Sequence, residues 1–295
     1  MSNLTIVIVT YNSSKIIKEC LSRIYNSKYN ITISDNNSID NTIKIVQENF
    51  PRVKIIKNNE NIGFAKANNV AFKQAKTDFV ATLNPDCFFE DISDIDKIIN
   101  IMISDNKIAI ASAELYSGFL DKNKLTITQK FHPDQQNYIK EQNNYFHTKF
   151  ISGCFMIMKV DIFKKIGFFN EKFFLYCEDN EICKRTLKNN YILAVIKDTK
   201  ICHLSEQSSD TRKNDSNFNE TILWYRFGYS KLIYTQEVHN KFIAKLRAIR
   251  NIIKNYLIIL RTKIAKNNVN IINKLILDAS ICYLFNRKPI NINKK

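Results

Sequence analysis

The chain has 295 residues, of which 45% are hydrophobic, and it carries a formal net charge of +16. This hydrophobic content is enough for a sizeable core and excludes general disorder, and the 5 Gly and 4 Pro argue against a repetitive or loop-rich architecture. The positive charge predicts an anionic partner, which could be nucleic acid, a phosphorylated ligand or an acidic membrane surface.

The seven cysteines are odd in number, and no two of them have C-x-x-C spacing. This pattern predicts reduced, mostly buried thiols in a cytosolic protein.

The apolar run at the N-terminus is too short for a signal peptide and lacks its basic start. No window holds 18 uninterrupted apolar residues, so no bilayer-spanning segment is predicted.

Strand patterns alternate with helix patterns through the first 90 residues. The β-branched run Leu4–Thr10 predicts a buried parallel strand, and Asn12-Ser13-Ser14 offers N-cap side chains for the helix after it. The later predicted strands are Asn30–Ser34, Val53–Lys57 and Asp78–Leu83, and the predicted helices end near Tyr25, Asn49 and Lys76. This alternation predicts an α/β fold with a mostly parallel sheet and helices on both faces.

A polar loop follows each of these strands, at Thr10–Asn12, Asp35–Ser38, Asn58–Gly63 and Asn84–Asp86. The carboxyl ends of parallel strands share one sheet edge, which is where open α/β sheets bind nucleotides. The chain has neither G-x-G-x-x-G after the first strand nor G-x-x-x-x-G-K-[ST]. A bound diphosphate would therefore need a metal, side chains and helix N-termini to meet its charge.

The fourth strand breaks at Asn84-Pro85-Asp86, which leaves a carboxylate just past its end. That position suits a ligand of a divalent metal held against a diphosphate. The alternative is an ordinary strand-to-turn junction, since Asn, Pro and Asp all favour turns.

The middle of the chain is less regular. A helix over Asp94–Ser104 and a strand over Lys107–Leu115 precede the polar stretch Tyr116–Thr148, which has the composition of a variable loop or lid. The patterns beyond it predict a strand over Phe150–Met158, a short helix over Val160–Ile166, a strand over Ile192–Ile196, the segment Thr199–His203 and a polar loop to about Asn217.

Aromatic residues lead into an acidic cluster, Glu178, Asp179 and Glu181, that opens a helix ending near Asn190. A carboxylate beside aromatic rings is a candidate for a partly desolvated general base, and the alternative is a plain helix cap. His203 is a single histidine near a strand end, for which a structural role is the alternative to a functional one.

The motifs in series resemble a family 2 glycosyltransferase of the GT-A fold, in the rhamnosyltransferase-like branch of bacterial polysaccharide enzymes. The resemblance covers about residues 4 to 205. It is carried by Ile6–Asn12, Asp35–Thr42, Asn58–Ala65 with Asn68-Asn69, Leu83–Asp86, Ser152–Met156, Gly167–Glu171, Glu178–Glu181 and His203.

The resemblance implies roles for particular residues. Those expected to bind the nucleotide are Thr10, Tyr11, Asn12, Asp35, Asn37, Asn61, Gly63, Asn69 and Asn84. Asp86 and His203 would hold a divalent metal, Mn²⁺ or Mg²⁺. Asp179 would be the catalytic base, with Glu178 as the alternative, and Glu181 and Gly153 would contact the acceptor.

The implied reaction is transfer with inversion of a hexose or deoxyhexose from a UDP- or dTDP-linked donor. The acceptor would be a saccharide, expected to be linked to polyprenyl diphosphate, in the synthesis of O-antigen or capsule. The family's commoner metal motif is Asp-x-Asp, but Asn84 occupies its first position here. One carboxylate fewer predicts weaker metal binding.

Residues 1–217 are predicted to form the catalytic domain, with a nucleotide-sugar half over about 1–90 and an acceptor half over about 91–217. The remaining 218–295 read as a basic amphipathic helical tail. Thirteen Lys and Arg lie in 241–295 against Asp278 alone. This composition predicts binding to an anionic membrane, and hence a cytoplasmic protein peripheral on the inner face of the bacterial inner membrane. The alternative is a helical cap packed on the catalytic domain, and both can hold.

Three other interpretations remain open at this point. A nucleic-acid-binding protein would suit the charge, but the basic residues lie mainly in the tail and no nucleic-acid motif is present, so no such partner is expected. A sugar-phosphate nucleotidyltransferase would need a Gly- and Arg-rich loop after the first strand, and Thr10–Ser13 has neither residue. A catalytically inactive scaffold of the same fold is the third.

Overall fold

A computed structural model describes residues 3–121, 124–130, 138–204, 216–265, 268–287 and 289. The strands are β1 Leu4–Thr10, β2 Asn30–Asp35, β3 Lys54–Lys57, β4 Phe79–Leu83, β5 Cys87–Phe89, β6 Ile108–Asp121, β7 Lys124–Lys130, β8 Tyr138–Glu141, β9 Tyr145–Thr148, β10 Phe155–Lys159 and β11 Ile192–His203. The helices are α1 Ile17–Ile24, α2 Thr42–Asn49, α3 Phe64–Phe72, α4 Asp94–Ser104, α5 Val160–Ile166, α6 Glu178–Lys188, α7 Ser216–Trp224, α8 Ser230–Val238, α9 Lys241–Ile264 and α10 Ile271–Leu284. A π-helical turn, Tyr225–Tyr229, joins α7 to α8.

One sheet runs through the molecule in the order β3-β2-β1-β4-β10-β6-β11-β9-β8. The four strands β3, β2, β1 and β4 are parallel, as the βα repeats predict. Beyond them β10 is antiparallel to both β4 and β6, and β6 and β11 form a second parallel pair. The predicted α/β class is confirmed.

Alternating side chains of the strands build two cores, one on each face of the sheet. In β1, Leu4, Ile6 and Ile8 lie in one core with residues of α1, α2 and α4. Val7 lies in the other core, with residues of α3, α5 and α6. Helices therefore cover both faces, and the carboxyl ends of the parallel strands remain open for a site.

The stretch Tyr116–Thr148 is not the irregular loop that its composition predicts. Strand β6 continues to Asp121 and pairs with β7 as a hairpin, and β8 and β9 form a second hairpin that extends the sheet from β11. Most side chains of β8 are exposed. A ribbon at a sheet edge covers little core, so it lacks the apolar periodicity that reveals other strands. Residues 131–137 lie outside the described residues.

Two local predictions also need correction. Strand β10 begins at Phe155, and not at Phe150, because residues 153 and 154 form a turn. Asn12 does not cap the helix that follows it. Its side-chain carbonyl accepts from Ile39 N at 2.9 Å in the neighbouring loop, while α1 begins later, at Ile17.

The C-terminal helices pack against the α/β part of the chain. The hydroxyl of Ser230 in α8 donates to Leu175 O at 2.6 Å, and Glu237 accepts from Asn170 at 2.8 Å. Trp224 is fully buried, and its indole N–H donates to Asp278 at 2.9 Å. One side of the tail therefore forms the predicted cap, while the division at 217 and 218 stays a prediction. No helix within the described ranges is long and apolar enough to cross a membrane.

The π-helical turn approaches α10 very closely at Gly228, where an added Cβ would lie 2.4 Å from the Cβ of Ala279. We expect Gly228→Ala to lower the free energy of unfolding by about 1–3 kcal/mol through overpacking. The double variant Gly228→Ala/Ala279→Gly should recover part of that loss, although Ala279→Gly alone costs about 1 kcal/mol in a helix. Urea unfolding of the four proteins measures this coupling, and purely additive losses would contradict the packing.

Candidate active site

The loops after β1 and β2 are tied together at the open sheet edge. Thr10 Oγ1 donates to Asp35 Oδ1 at 2.7 Å, and Asn36 N donates to Thr10 O at 2.8 Å. Asn12 N donates to the Ser38 hydroxyl at 2.9 Å. Three residues predicted to bind the nucleotide, Thr10, Asn12 and Asp35, therefore meet in one hydrogen-bonded group.

Asp35 is held rigidly by its neighbours. It is buried, and its carboxylate accepts from the backbone N–H of Ser38 at 2.9 Å and from the Ser38 hydroxyl at 2.6 Å, besides Thr10. Tyr11 beside it is partly exposed, and Asn37 is exposed with φ 63°. A nucleotide at this edge would meet a fixed carboxylate and an accessible aromatic ring.

The loop before α3 depends on Gly63. Its φ is +84°, and a Cβ there would lie 2.3 Å from the backbone oxygen of Phe174. Asn61 Oδ1 accepts from Gly63 N at 3.0 Å, which forms the turn. Asn69, also predicted to bind the nucleotide, hydrogen-bonds Phe169 through both ends of its amide. That contact ties α3 to the chain ahead of the acidic cluster.

Asp86 and His203 are brought together by a short strand that was not predicted. Strand β5 pairs antiparallel with the end of β11, so that Cys87 lies opposite His203. Leu204 N also donates to Asp86 O at 3.0 Å. As a result His203 Nε2 lies 3.4 Å from Asp86 Oδ1. Asn84, at the start of the same turn, is partly exposed and donates its N–H to Cys154 O at 2.8 Å.

The donor set of this pair fits a divalent metal. The Asp86 side chain is fully buried, whereas that of His203 is 24% exposed, so the pair has an open side. Carboxylate oxygen suits Mn²⁺ and Mg²⁺, while Mg²⁺ strongly prefers oxygen ligands over imidazole nitrogen. The two residues therefore fit Mn²⁺ better than Mg²⁺.

The turn at Gly153 connects this pair to the acidic cluster. Gly153 N donates to Asp179 Oδ2 at 3.2 Å, and the next residue, Cys154, lies beside His203. Asp179 is partly exposed, and desolvation raises the pKa of its carboxyl above the ordinary value. The predicted base and the predicted metal ligands therefore border the same turn.

Glu178 lies in a different environment from Asp179. It is 6% exposed, and its Oε2 has no hydrogen-bond partner among the described residues. Burial, and then the neighbouring charge of Asp179, raise the pKa of Glu178 to about 8. Glu178 is thus largely protonated at neutral pH, and Asp179 is the more accessible carboxylate.

Glu181 makes its contacts inside the protein. Its two oxygens accept from Arg185 Nε and Nη2, each at 2.8 Å. Arg185 also donates to the backbone oxygens of Ile166, Gly167 and Phe168. This network ties α6 to the end of α5, and the predicted contact of Glu181 with the acceptor stays a prediction.

A cavity of ≈ 380 Å³ opens beside the turn. Its polar lining side chains include Ser112, Glu114, Tyr116, Ser117, Tyr138, Ser152, Cys154, His203 and Arg226. Tyr116 and Tyr138 belong to the region predicted to recognise the acceptor, and Arg226 comes from the C-terminal helices. The cavity therefore lies where the α/β part of the chain and the C-terminal helices meet.

Three residues beside the site were not predicted from the sequence: Cys87, Cys154 and Arg226. Cys87 directly follows Asp86 and Cys154 directly follows Gly153 in the chain. This adjacency to predicted site residues was the signal that the sequence offered for the two cysteines. A hydrogen bond with Cys87, and the nearby charge of His203, lower the pKa of the Cys154 thiol. Arg226 carries no local signal, because its position follows from the packing of the π-helical turn.

Comparison with known proteins identifies the class. The family model for glycosyl transferase family 2 matches residues 5–167, and the chain belongs to this family. It is accordingly a glycosyltransferase that depends on a nucleotide sugar. The predicted GT-A fold is also confirmed.

Similar proteins come from both archaea and bacteria. The chain is 25% identical over 261 residues to "Uncharacterized glycosyltransferase MJ1057" of Methanocaldococcus jannaschii, covering 78% of this chain and 87% of that protein. It is 23% identical over 212 residues to "O-antigen chain rhamnosyltransferase WbaN" of Salmonella anatum, covering 69% of this chain and 66% of that protein.

Among solved structures, the mannosyltransferase PcManGT from Pyrobaculum calidifontis, in complex with GDP-Man and Mn²⁺, aligns with a TM-score of 0.58 at 14% identity. The alignment covers 97% of this chain and 88% of that one. At this level of identity, the similarity shows the fold.

The raised pKa of Glu178 predicts a pH-dependent stability. Between about pH 4.5 and 8 the folded protein keeps a proton that the unfolded chain releases, so the free energy of unfolding falls as pH rises. Glu178→Gln removes this titration. From pH 5.5 to 8.5 the variant should gain about 2–4 kcal/mol relative to the unsubstituted protein. Urea unfolding at both pH values checks this, and parallel pH profiles would contradict it.

Proposed function

We propose that this protein is an inverting glycosyltransferase that moves a hexose or deoxyhexose from a UDP- or dTDP-linked donor to a saccharide acceptor. The acceptor is carried on polyprenyl diphosphate, and the product enters a surface polysaccharide of the O-antigen or capsule type. The observation that carries this proposal is the turn at Gly153, which contacts Asp179 on one side and borders the Asp86–His203 pair on the other.

The proposed roles are those that the resemblance implies, and the burial and charge of the residues support them. Thr10, Asn12 and Asp35 form the surface that binds the nucleotide, and the ring of Tyr11 stacks on the base. Asp86 and His203 would hold Mn²⁺, which would neutralise charge on the departing diphosphate. The cavity beside Glu114 and Arg226 receives the acceptor.

Asp179 takes the proton of the acceptor hydroxyl as its oxygen attacks the anomeric carbon. The bond from that carbon to the diphosphate oxygen breaks as the new bond forms, so the configuration inverts. Glu178, protonated at neutral pH, leaves Asp179 as the single charged carboxylate of the adjacent pair. The rate should rise with pH as Asp179 ionises, through a pKa above its ordinary value.

We further propose that helix α9 binds an anionic membrane surface at the inner face of the bacterial membrane. Ala244, Ala248 and Asn255 form the face of α9 that is buried against the protein. On the opposite side is an exposed apolar row at spacings of three and four residues. It consists of Phe242, Leu246, Ile249, Ile253, Tyr256 and Leu260.

Basic side chains border this apolar row on both sides. They are exposed, and they are Lys241, Lys245 and Lys263 along one border and Arg250, Lys254 and Arg261 along the other. Two copies of such a surface would repel each other, whereas anionic lipid headgroups would attract both borders. The charge pattern therefore favours lipid over a second copy of the chain, and it would hold the enzyme near a lipid-linked acceptor.

The first test is removal of the base. Asp179→Asn should lower kcat by about 10²–10⁴, because the acceptor hydroxyl loses its proton acceptor, while the affinity for the nucleotide stays nearly unchanged. Glu178→Gln is the matched control and should retain kcat within about tenfold. Near-normal turnover of Asp179→Asn together with an inactive Glu178→Gln would reassign the base.

A thermal-shift panel of nucleotide sugars tests the donor and the metal together. A donor that binds the folded protein stabilises it by RT ln(1 + [L]/Kd) and so raises the melting temperature. We expect a UDP- or dTDP-linked hexose or deoxyhexose to give the largest rise, and Mn²⁺ to increase that rise. No stabilisation by any nucleotide sugar, with or without Mn²⁺, would contradict the proposed donor class.

Vesicle flotation tests the proposed membrane surface. The chain should float with vesicles that contain phosphatidylglycerol, and much less with pure phosphatidylcholine. Each inserted apolar side chain contributes about 1.5–3 kcal/mol, so Leu246→Glu/Ile253→Glu should weaken binding at least ~100-fold. Ile103→Glu is the control, because Ile103 is an exposed apolar residue on α4. Flotation that does not depend on lipid charge, or vesicle binding that is unchanged in the double variant, would contradict the proposal.

A further inference from the structure

Two thiols and an imidazole converge beside the proposed metal pair. The Sγ atoms of Cys87 and Cys154 and a ring nitrogen of His203 lie within 4.8 Å of one another, and this is the grouping of potential metal ligands found among the described residues. Local spacing did not reveal it, because the three residues come from distant parts of the chain.

Strand pairing holds the three residues in place. Cys87 lies opposite His203 in the antiparallel ladder of β5 with β11. Cys154 immediately precedes β10, and its carbonyl accepts from Asn84 N at 2.8 Å at the end of β4. The backbones beneath these side chains are therefore fixed by the sheet, which is the kind of support that a metal site requires.

We propose that Cys87, Cys154 and His203 form a binding site for Zn²⁺ that is distinct in chemistry from the proposed Mn²⁺ site. Tetrahedral zinc has bonds of about 2.0–2.3 Å, so its ligand atoms lie roughly 3.4–3.8 Å apart. The three ligand atoms lie within 4.8 Å of one another, so their separations need to shorten by no more than about 1.0–1.4 Å to reach that geometry. Two thiols and an imidazole form a soft set that selects zinc over Mn²⁺ or Mg²⁺.

The fourth position of the tetrahedral ion also has a candidate. Asp86 Oδ1 lies 3.4 Å from His203 Nε2 and can complete a tetrahedron. Cys154 and His203 both line the ≈ 380 Å³ cavity, which provides an entry path. Zinc binds thiolates, so both thiols release their protons to solvent when the ion enters.

Zinc in this site would inhibit sugar transfer. Zinc would bind His203 and would also draw in Asp86, its partner in the proposed Mn²⁺ site. Neither residue could then hold the ion that contacts the diphosphate. This consequence rests on the proposed function, whereas zinc binding itself does not. A binding measurement therefore separates failure of the zinc site from failure of the proposed reaction.

Cobalt titration is the test, with the full chain reduced by a non-thiol reductant and stripped of metal by a chelator. Co²⁺ bound to thiolate gives a charge-transfer absorption that oxygen and nitrogen ligands do not give. We expect this band to saturate at one ion per chain and to disappear when Zn²⁺ is added. Absence of the band from the unsubstituted chain would overturn the proposal.

Variants show whether the band arises from this group. Cys87→Ser and Cys154→Ser should each weaken zinc binding by more than ~100-fold, since even outer-sphere changes cost 10–100-fold. Each should also reduce the band to about half at saturating Co²⁺, because one of the two thiolates remains. Cys202→Ser is the matched control. Cys202 is a buried neighbour of His203 whose sulfur would lie 2.5 Å from a Cβ on Gly118, and its loss should leave the band intact.

The partly exposed His203 provides a variant that does not disturb the core. His203→Gln should lower zinc affinity as the cysteine variants do, and circular dichroism can verify its fold. A band of full intensity in both cysteine variants, or zinc affinity unchanged in His203→Gln, would overturn the assignment. Zinc inhibition of transfer that is relieved in Cys154→Ser would support the functional consequence.

Discussion

The site depends on the pairing of β5 with the end of β11. Asp86 and His203 are 117 positions apart in the chain, and this three-residue ladder sets their side chains 3.4 Å apart. A buried carboxylate is costly unless a cation or hydrogen-bond donors face it, and the imidazole of His203 lies next to it on the open side of the pair. Asp86 follows β4 in the parallel half of the sheet, and His203 lies at the end of β11 in the mixed half.

The other parts of the site are arranged around that pair. The turn at Gly153 separates it from Asp179, and the different environments of Asp179 and Glu178 leave one accessible carboxylate. The C-terminal helices contribute Arg226 to the cavity and present the apolar row of α9 on their far side. In the proposed function, one helical layer thus completes the acceptor site and holds it at a lipid surface.

Much of this arrangement could be predicted from the sequence, because it is encoded locally. The β-branched runs and the polar loops behind them predict β1 to β4 and the sheet edge on which Thr10, Asn12 and Asp35 meet. Strand β5 could not be predicted in this way, since three residues after a proline turn carry no periodicity. The convergence of Cys87, Cys154 and His203 depends on three separate ladders. Strand β8 lacks an apolar pattern because it is the edge strand of the sheet and most of its side chains are exposed.

The measurement that tests the central claim most directly is a Mn²⁺ titration followed by electron paramagnetic resonance, in the presence of UDP or dTDP. If Asp86 and His203 share one ion at the diphosphate, Asp86→Asn and His203→Gln should each weaken Mn²⁺ binding at least ~10-fold. Asp91→Asn, which removes an exposed carboxylate in the segment after β5, should leave the Mn²⁺ affinity unchanged. Equal Mn²⁺ affinity in all four proteins would contradict the account.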